Sequence, residues 1–314
     1  QEVRDRGGVY YGQNTISKNL IIANRKELLN GNGFVLGVSG SGKSFTAKRE
    51  MVNLALSTDD DIIVIDPESE YRPLIEGLGG EVISISATSP NHINAMDMEQ
   101  GYGDGENPVV LKSEFLLSLC EQLMGDRLLS AKEKSIIDRC TAAVYEDYQS
   151  GGNVPTLCRL REKMLEQPER EAKDLALALE LFTSGSLDAF AHESNVDINN
   201  RMIVYDIMDL GKQLKTMGLL VITDAMLNRV TENWKKGKRT HIFLDEFHVV
   251  FENEYSGAFF NSAWRRFRKR NAFPNAITQN VEYLLDSVLA STMLSNSEYI
   301  VMLNQAASDR QKLA

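Results

Sequence analysis

The run Gly37-Val38-Ser39-Gly40-Ser41-Gly42-Lys43-Ser44 has the residue types and spacing of a phosphate-binding loop. It lies between an apolar run, Phe34 to Leu36, and a helix-compatible run, Phe45 to Leu56. Glycines at 37, 40 and 42 let the backbone take angles closed to other residues, so successive N–H groups can turn toward phosphate oxygens at a helix N-terminus. Lys43 has the reach for β- and γ-phosphates, and the Ser44 hydroxyl is a ligand for Mg²⁺. With Ser39 and Ser41 inside the loop and Phe45 just beyond it, this segment is read as a nucleoside triphosphate site.

A second chemical signal is His241-Ile242-Phe243-Leu244-Asp245-Glu246, an apolar strand ending in two acids. Open α/β sheets bind ligands at the carboxyl ends of their strands. Asp245 there could hold Mg²⁺ through its water shell, and Glu246 could accept a proton from an attacking water. Strands also end in solvated acids, so the pattern gains its meaning from the phosphate loop. Gln279, in Thr278-Gln279-Asn280, follows another short apolar strand. Its amide can hydrogen-bond a γ-phosphate or the lytic water, or simply cap the strand.

Ile62 to Tyr71 repeats the theme of an apolar strand closing on acids, with Asp66 and Glu68 placed either to line the nucleotide site or to form a solvated β-turn around Pro67. Trp264 to Arg270 is a basic helical stretch. At helical spacing Arg265 shares a face with Arg268 and Lys269, while Arg266 lines up with Arg270. The charges cannot all serve one ligand. An arginine finger reaching a γ-phosphate across a subunit interface, with Arg265 and Arg268 as candidates, and a solvated basic face are the readings open.

These residues need strands to carry them. Apolar runs recur at 33–38, 62–65, 82–85, 202–205, 241–244, 276–278 and 299–303, between helical patterns, which predicts an α/β fold with a mostly parallel sheet and crossover helices. The stretch 107–186 has no strand signal. It has helical periodicity in Phe115, Leu116, Leu119 and Leu123, and again in Ile136, Ile137, Cys140, Val144 and Tyr148. Glycine-rich breaks at 101–105 and 151–155, and Ser184-Gly185-Ser186, flank and divide it. The expected organisation is a core made of 1–106 and 187–314 with an all-α insertion at 107–186.

The chain has 314 residues, 43% of them hydrophobic, enough for a large core. No apolar stretch approaches the roughly 20 residues that cross a bilayer. The charged N-terminus is no signal peptide, and Gln1 in place of an initiator Met points to a piece of a longer protein. A net charge of −10 argues against a surface that grips nucleic acid all over. Cys120, Cys140 and Cys158 form no CxxC pair, and His92, His192, His241 and His248 lack metal-ligand spacing. Reduced, packed thiols in a cytosolic protein without zinc are expected.

Together these motifs resemble the large ATPase of conjugative and type IV secretion systems, the CagE/TrbE/VirB family within the HerA/FtsK-type motor superfamily. The resemblance runs through Asn30-Gly31-Asn32-Gly33 and the phosphate loop, residues 45–50, Ile65 to Tyr71, Leu244-Asp245-Glu246, Arg265 to Arg270 and Ala276 to Asn280. It implies a RecA-like P-loop NTPase core with the strand before Gln279 lying between the phosphate-loop strand and the strand ending in Asp245. It places Gln279 beside the γ-phosphate and has Glu246 polarise water. ATP with Mg²⁺ is implied, in a hexamer with nucleotide at the subunit interfaces, peripheral at the cytoplasmic face of a membrane and docked on other secretion-channel subunits. An N-terminal domain typical of the family is absent from these residues.

The preferred reading is an ATP-hydrolysing motor that energises channel assembly or transfer of a DNA or protein substrate. The alternatives are a HerA/FtsK-type DNA translocase, a small-molecule kinase, which Glu246 and Gln279 disfavour by pointing to water as nucleophile, and a scaffold that nucleotide merely tunes.

Overall fold

The apolar runs become the strands of a 7-stranded sheet in which every neighbouring pair is parallel. The computed structural model describes residues 3–98, 102, 105, 107–125, 127–196, 198–251, 254–279 and 281–306. Asn280 and the glycine-break residues Gly101, Gly103 and Asp104 lie outside the described residues.

The first elements are β1 (Val3–Arg4), β2 (Val9–Gln13), β3 (Leu20–Ala23), β4 (Gly33–Leu36), α1 (Lys43–Ser57), β5 (Asp61–Asp66), α2 (Arg72–Gly77) and β6 (Glu81–Ser84). A helical series follows: α3 (Pro108–Leu123), α4 (Ala131–Gln149), α5 (Leu157–Leu165), α6 (Arg170–Ala178) and α7 (Glu180–Thr183). The chain then returns to the sheet through β7 (Met202–Asp206), α8 (Gly211–Lys235), β8 (Thr240–Leu244), α9 (Glu254–Lys269), β9 (Ala272–Thr278), α10 (Val281–Asp286), α11 (Val288–Ser295) and β10 (Tyr299–Met302).

The sheet order is β10-β4-β9-β8-β5-β7-β6. Continuous apolar runs such as Ile62 to Ile65 suit such a sheet because both of its faces are covered. Successive side chains point to opposite faces. Ile62 and Val64 pack with Ala47 and Met51 of α1 and Ile75 of α2, while Ile63 and Ile65 join the larger core that holds Phe115 of α3, Leu220 of α8 and Phe260 of α9. The sequence-based expectation that β9 lies between β4 and β8 holds.

The helices α3 to α7 occupy the stretch between β6 and β7. Phe115, Leu116, Leu119, Ile136, Ile137, Cys140 and Val144 face the core. Tyr148, on the same stripe by spacing, is 49% exposed at the end of α4, and Tyr145 takes the interior position instead, its hydroxyl donating to the Met96 carbonyl at 2.5 Å. A buried polar knot fastens α3 to the rest. Lys112, 0% exposed, pairs with Asp224 of α8 and donates to the Asp97 carbonyl at 2.7 Å; Asp224 also accepts from the Tyr102 hydroxyl.

A separate 3-stranded sheet, order β1-β3-β2, precedes the main one. The pattern of apolar runs did not predict it, because its strands are short and half-exposed. Arg25 anchors the segment after it: the buried guanidinium donates to Glu50 at 2.8 Å and Asn275 at 2.6 Å and lies 4.1 Å from the centre of the Tyr299 ring. Cys120 and Cys140 are buried thiols as expected, and burial pushes the Cys120 thiol up to about 12. No described helix is long and apolar enough to cross a membrane.

Candidate functional site

The phosphate loop joins β4 to α1 and is braced by the strands beside it. The Gly37 amide donates to Thr278 O at 3.3 Å and the Val38 amide to Asn304 O at 2.9 Å. Gly37 has no room for a Cβ, which would collide with the Ser41 side chain and Leu303. Gly42 caps α1 with φ +95, a left-handed conformation that L side chains rarely adopt. The first N–H groups of a helix have no intrahelical partner, and those of α1 therefore face the space above the loop with the positive end of the helix dipole. Lys43 is 8% exposed and folds back to donate to the Val38 carbonyl at 3.3 Å.

Asp245 stands at the exit of β8, next but one to β4 in the sheet. It is 5% exposed, accepts from the Tyr71 hydroxyl at 2.8 Å and from the Glu246 amide at 2.8 Å, and burial pushes its carboxyl up to about 6. Tyr71 is fully buried with Ser44 close to its hydroxyl, so it lies between the two residues expected to hold Mg²⁺. Nothing in the local sequence marks this tyrosine for that place, because 174 positions separate it from Asp245.

Asp66 explains how Tyr71 gets there. Its carboxylate accepts from the amides of Glu68 at 3.3 Å, Glu70 at 3.0 Å and Tyr71 at 2.8 Å, folding the exit of β5 into a tight turn. Asp66 is 0% exposed, so of the two placements read from sequence it takes neither the nucleotide wall nor a solvated turn. Glu68 lies on the wall of a cavity of about 440 Å³ that also takes in Ser39, Lys215, Glu246, His248 and Gln279. Lys215 of α8 stands 3.6 Å from the Glu68 carboxylate.

Glu246 has φ +49, a conformation that costs a non-glycine residue on the order of 1–3 kcal/mol and clusters at functional sites. Its carboxylate faces the Gln279 amide, with Nε2 at 3.3 and 3.4 Å from the two oxygens, and His248 Nδ1 lies 3.2 Å from Oε2. His248, read from sequence only as flanking a strand, thus sits beside the candidate base.

Lys43, Ser44, Asp245, Glu246 and Gln279 are therefore gathered at the exits of β4, β8 and β9. Arg265 and Arg268 are not. They are exposed near the end of α9, which leads into the start of β9, and the rise of that strand over residues 272–278 separates this end of the sheet from the loop by about 20 Å. Arg266 is spent inside the protein, donating to Tyr102 O at 2.6 Å with its guanidinium 4.9 Å from the Tyr102 ring centre, and Arg270 is 1% exposed. Phe45 projects from the first turn of α1 and is 73% exposed.

A parallel sheet in this order, with a glycine-rich loop heading α1 and an acid pair at the exit of β8, defines a RecA-like P-loop nucleotide-binding domain. The sequence matches the TraG P-loop domain over residues 16–312, and the chain belongs to that family. This bears out the resemblance to conjugative and type IV secretion ATPases. Among solved structures, VirB4 of Thermoanaerobacter pseudethanolicus is similar at 23% identity and a TM-score of 0.86, covering 100% of this chain and 88% of that one. The plasmid coupling protein TrwB in complex with the non-hydrolysable ATP analogue ADPNP is similar at 14% identity and a TM-score of 0.61, covering 99% and 78%. Its complex with ADP and Mg²⁺ gives 14% identity and a TM-score of 0.60, covering 98% and 77%. At these identities the likenesses show a shared fold. No curated protein matches the chain.

Proposed function

We propose that this chain is an ATP-hydrolysing motor domain of a conjugative or type IV secretion system, energising channel assembly or the transfer of a DNA or protein substrate. The observation that carries the reading is the meeting of Lys43 and Ser44 with Asp245, Glu246 and Gln279 at adjoining strand exits, in a chain of the TraG P-loop family. That TrwB binds ADP with Mg²⁺ and an ATP analogue on the same fold supports ATP and Mg²⁺ as the ligands.

The donor set fits Mg²⁺. Ser44 and Asp245 offer hard oxygens, and among the described residues no cluster of three or more His, Cys, Asp or Glu forms an all-protein metal cage. Mg²⁺ characteristically uses one or two protein oxygens with phosphates and water. When bound it would neutralise charge on the β- and γ-phosphates.

Lys43 and the loop amides hold the phosphates. Glu246 accepts a proton from the water that attacks the γ-phosphorus, and Gln279 orients that water. As the new P–O bond forms, the bond to the β-phosphate bridging oxygen breaks and ADP leaves. Asp66 shapes the turn that delivers Tyr71, and Glu68 with Lys215 rims the γ-phosphate side of the cavity.

Arg265 and Arg268 are remote from the loop of their own chain, so an arginine finger drawn from them would act on a neighbouring subunit's nucleotide, as a hexameric or other ring-like working form would require. Residues 107–186 serve as an insertion in a core of 1–106 and 187–314, and the chain of contacts from Arg266 through Tyr102 and Asp224 to Lys112 couples the basic helix to it. The working location is peripheral, at the cytoplasmic face of the membrane and against other channel subunits.

The test is phosphate release from ATP by wild type and Glu246→Gln over a range of protein concentrations, with and without DNA. The mutant should keep its ATP affinity and lose turnover by a factor of about 10² to 10⁴, the usual worth of a general base. Unchanged turnover in Glu246→Gln rejects Glu246 as the base. Tight ATP binding by wild type with no turnover at any concentration rejects the motor in favour of a nucleotide-tuned scaffold.

A further inference from the structure

Among the described residues that line the cavity of about 440 Å³, Glu68, Glu70 and Glu246 bring three carboxylates, and Lys215 is the one lysine or arginine. Ser39 of the phosphate loop and Gln279 belong to the same wall. A γ-phosphate seated between the loop and the candidate base therefore adds negative charge among these acids. Like charges at such range repel, the more so as water is excluded. Lys43 offsets this from the loop side. Other cations around the site are tied elsewhere: Arg49 donates to the Tyr10 and Tyr11 carbonyls, Arg72 donates to Ser84 and Asp206, and Lys48 lies over the Tyr71 ring, 5.3 Å from its centre.

Lys215 is held loosely. It lies near the start of α8, and Leu219, one turn further on, lines the same cavity, so one face of the helix fronts the site. The Lys215 ammonium stands 3.6 Å from the Glu68 carboxylate, beyond hydrogen-bond distance, and the Glu68 side chain is 57% exposed. An ion pair that open to water contributes little. Lys112 shows the contrast, fully buried and fixed between Asp224 and the Asp97 carbonyl. A lysine ammonium is a compact charge with three donors on a flexible four-carbon stem. Side-chain rotation alone can carry it from a weak carboxylate partner to a phosphate oxygen.

We propose that Lys215 senses the γ-phosphate within its own chain, leaving Glu68 to bond a γ-phosphate oxygen when a nucleoside triphosphate is bound and returning to Glu68 when the diphosphate remains. The inference rests on the nucleotide-site reading above. It makes Lys215 a residue that discriminates triphosphate from diphosphate, because the β-phosphate stays with Lys43 and the loop amides. Glu68 is then a competitor for the ammonium rather than a phosphate ligand, which accounts for an acid on the wall of an anion site.

The experiment measures the affinity of the non-hydrolysable ATP analogue ADPNP and of ADP, each with Mg²⁺, for wild type, Lys215→Ala, Lys215→Arg, Glu68→Gln and Lys43→Ala. Lys215→Ala should weaken ADPNP by about 10- to 100-fold, the usual worth of a charge-assisted hydrogen bond, and leave ADP within about twofold. Lys215→Arg keeps the charge and should recover most of the loss. Glu68→Gln should tighten ADPNP by about two- to fivefold, because the ammonium no longer has a competing partner. An ion pair that only braces the wall predicts the opposite sign, so weakened ADPNP binding in Glu68→Gln overturns the proposal. Unchanged ADPNP affinity in Lys215→Ala, or an equal loss for ADP, overturns it too, while a Lys43→Ala variant weakened for both nucleotides keeps the phosphate loop. Both side chains of the pair are partly exposed, so their replacement should leave the fold intact, which thermal unfolding checks. A wild type that binds neither nucleotide overturns this inference together with the nucleotide-site reading.

Discussion

The hydroxyl of Tyr71 donates to the carboxylate of Asp245 across 2.8 Å, in a site where both side chains are buried. Ser44 lies close to the same hydroxyl, so a neutral group from the exit of β5 stands between side chains from β8 and α1. Its proton is retained firmly, since burial and the neighbouring carboxylate raise the phenol well above its usual range.

Tyr71→Phe removes that donor and leaves a buried acceptor short of a partner, which costs about 1–3 kcal/mol. The expected outcome is a lower unfolding midpoint together with a half-saturating Mg²⁺ concentration for nucleotide binding raised about tenfold, the equivalent of 1.4 kcal/mol. Mg²⁺ titrations of nucleotide affinity check it. A stability loss with an unchanged Mg²⁺ requirement would give Tyr71 a purely structural role.

Lys43→Ala removes the charge that reaches the β- and γ-phosphates. Lys43 is nearly buried and its ammonium rests on the Val38 carbonyl, but that carbonyl also accepts from the Ser41 amide at 3.2 Å, so the loop should keep its shape. ATP affinity should fall by about 10- to 100-fold, in line with a charge-assisted hydrogen bond of roughly 1.5–3 kcal/mol, and turnover should fall with it. Equilibrium binding and phosphate release together give the answer, and normal values for both would remove the loop from the site.

Arg265→Ala and Arg268→Ala separate an interface finger from a solvated face. Turnover per wild-type subunit should rise with protein concentration as subunits associate. An arginine supplied in trans is worth about 10³ to 10⁵ in rate, so the variant lacking the finger should lose that rise while binding ATP normally. If each variant alone, and both together, behave as wild type, the exposed end of α9 is only a basic surface.

His241 predicts how folding responds to acid. It is 2% exposed, stacked on Phe273 with ring centres 4.9 Å apart and set 3.1 Å from Asp60, and burial lowers its pKa below the ordinary 6.5. An imidazole whose folded pKa lies below its unfolded value is protonated first in the unfolded chain. Its contribution is therefore complete above about pH 6.5 and is lost as the pH falls from there toward the folded pKa. Unfolding free energies measured between pH 8 and pH 5 should be flat at the upper end and decline below 6.5, and His241→Gln should flatten that decline.

Much of the fold was legible because it is local. The strands at 33–36, 61–66, 202–206 and 240–244 are buried throughout, and burial on both faces produces unbroken apolar runs that a sequence displays directly. The half-exposed strands β1 to β3 lack such runs, and Val9 to Gln13 mixes aromatic, glycine and amide side chains in a pattern no period singles out. On α4, spacing put Tyr148 on the apolar stripe, but the helix ends near it and the core closes on Tyr145.

The sequence by itself determined the phosphate loop, the acid pair at 245–246 and Gln279, because each is a short run whose residue types dictate its chemistry. Tertiary structure alone decided which of the basic residues 265–270 are exposed, that Asp66 builds a turn, and that Tyr71 sits between Ser44 and Asp245. These outcomes depend on distances between residues far apart along the chain. A parallel sheet sets them by bringing the exits of β4, β5, β8 and β9 to one edge, and no spacing along the sequence encodes which side chains then meet.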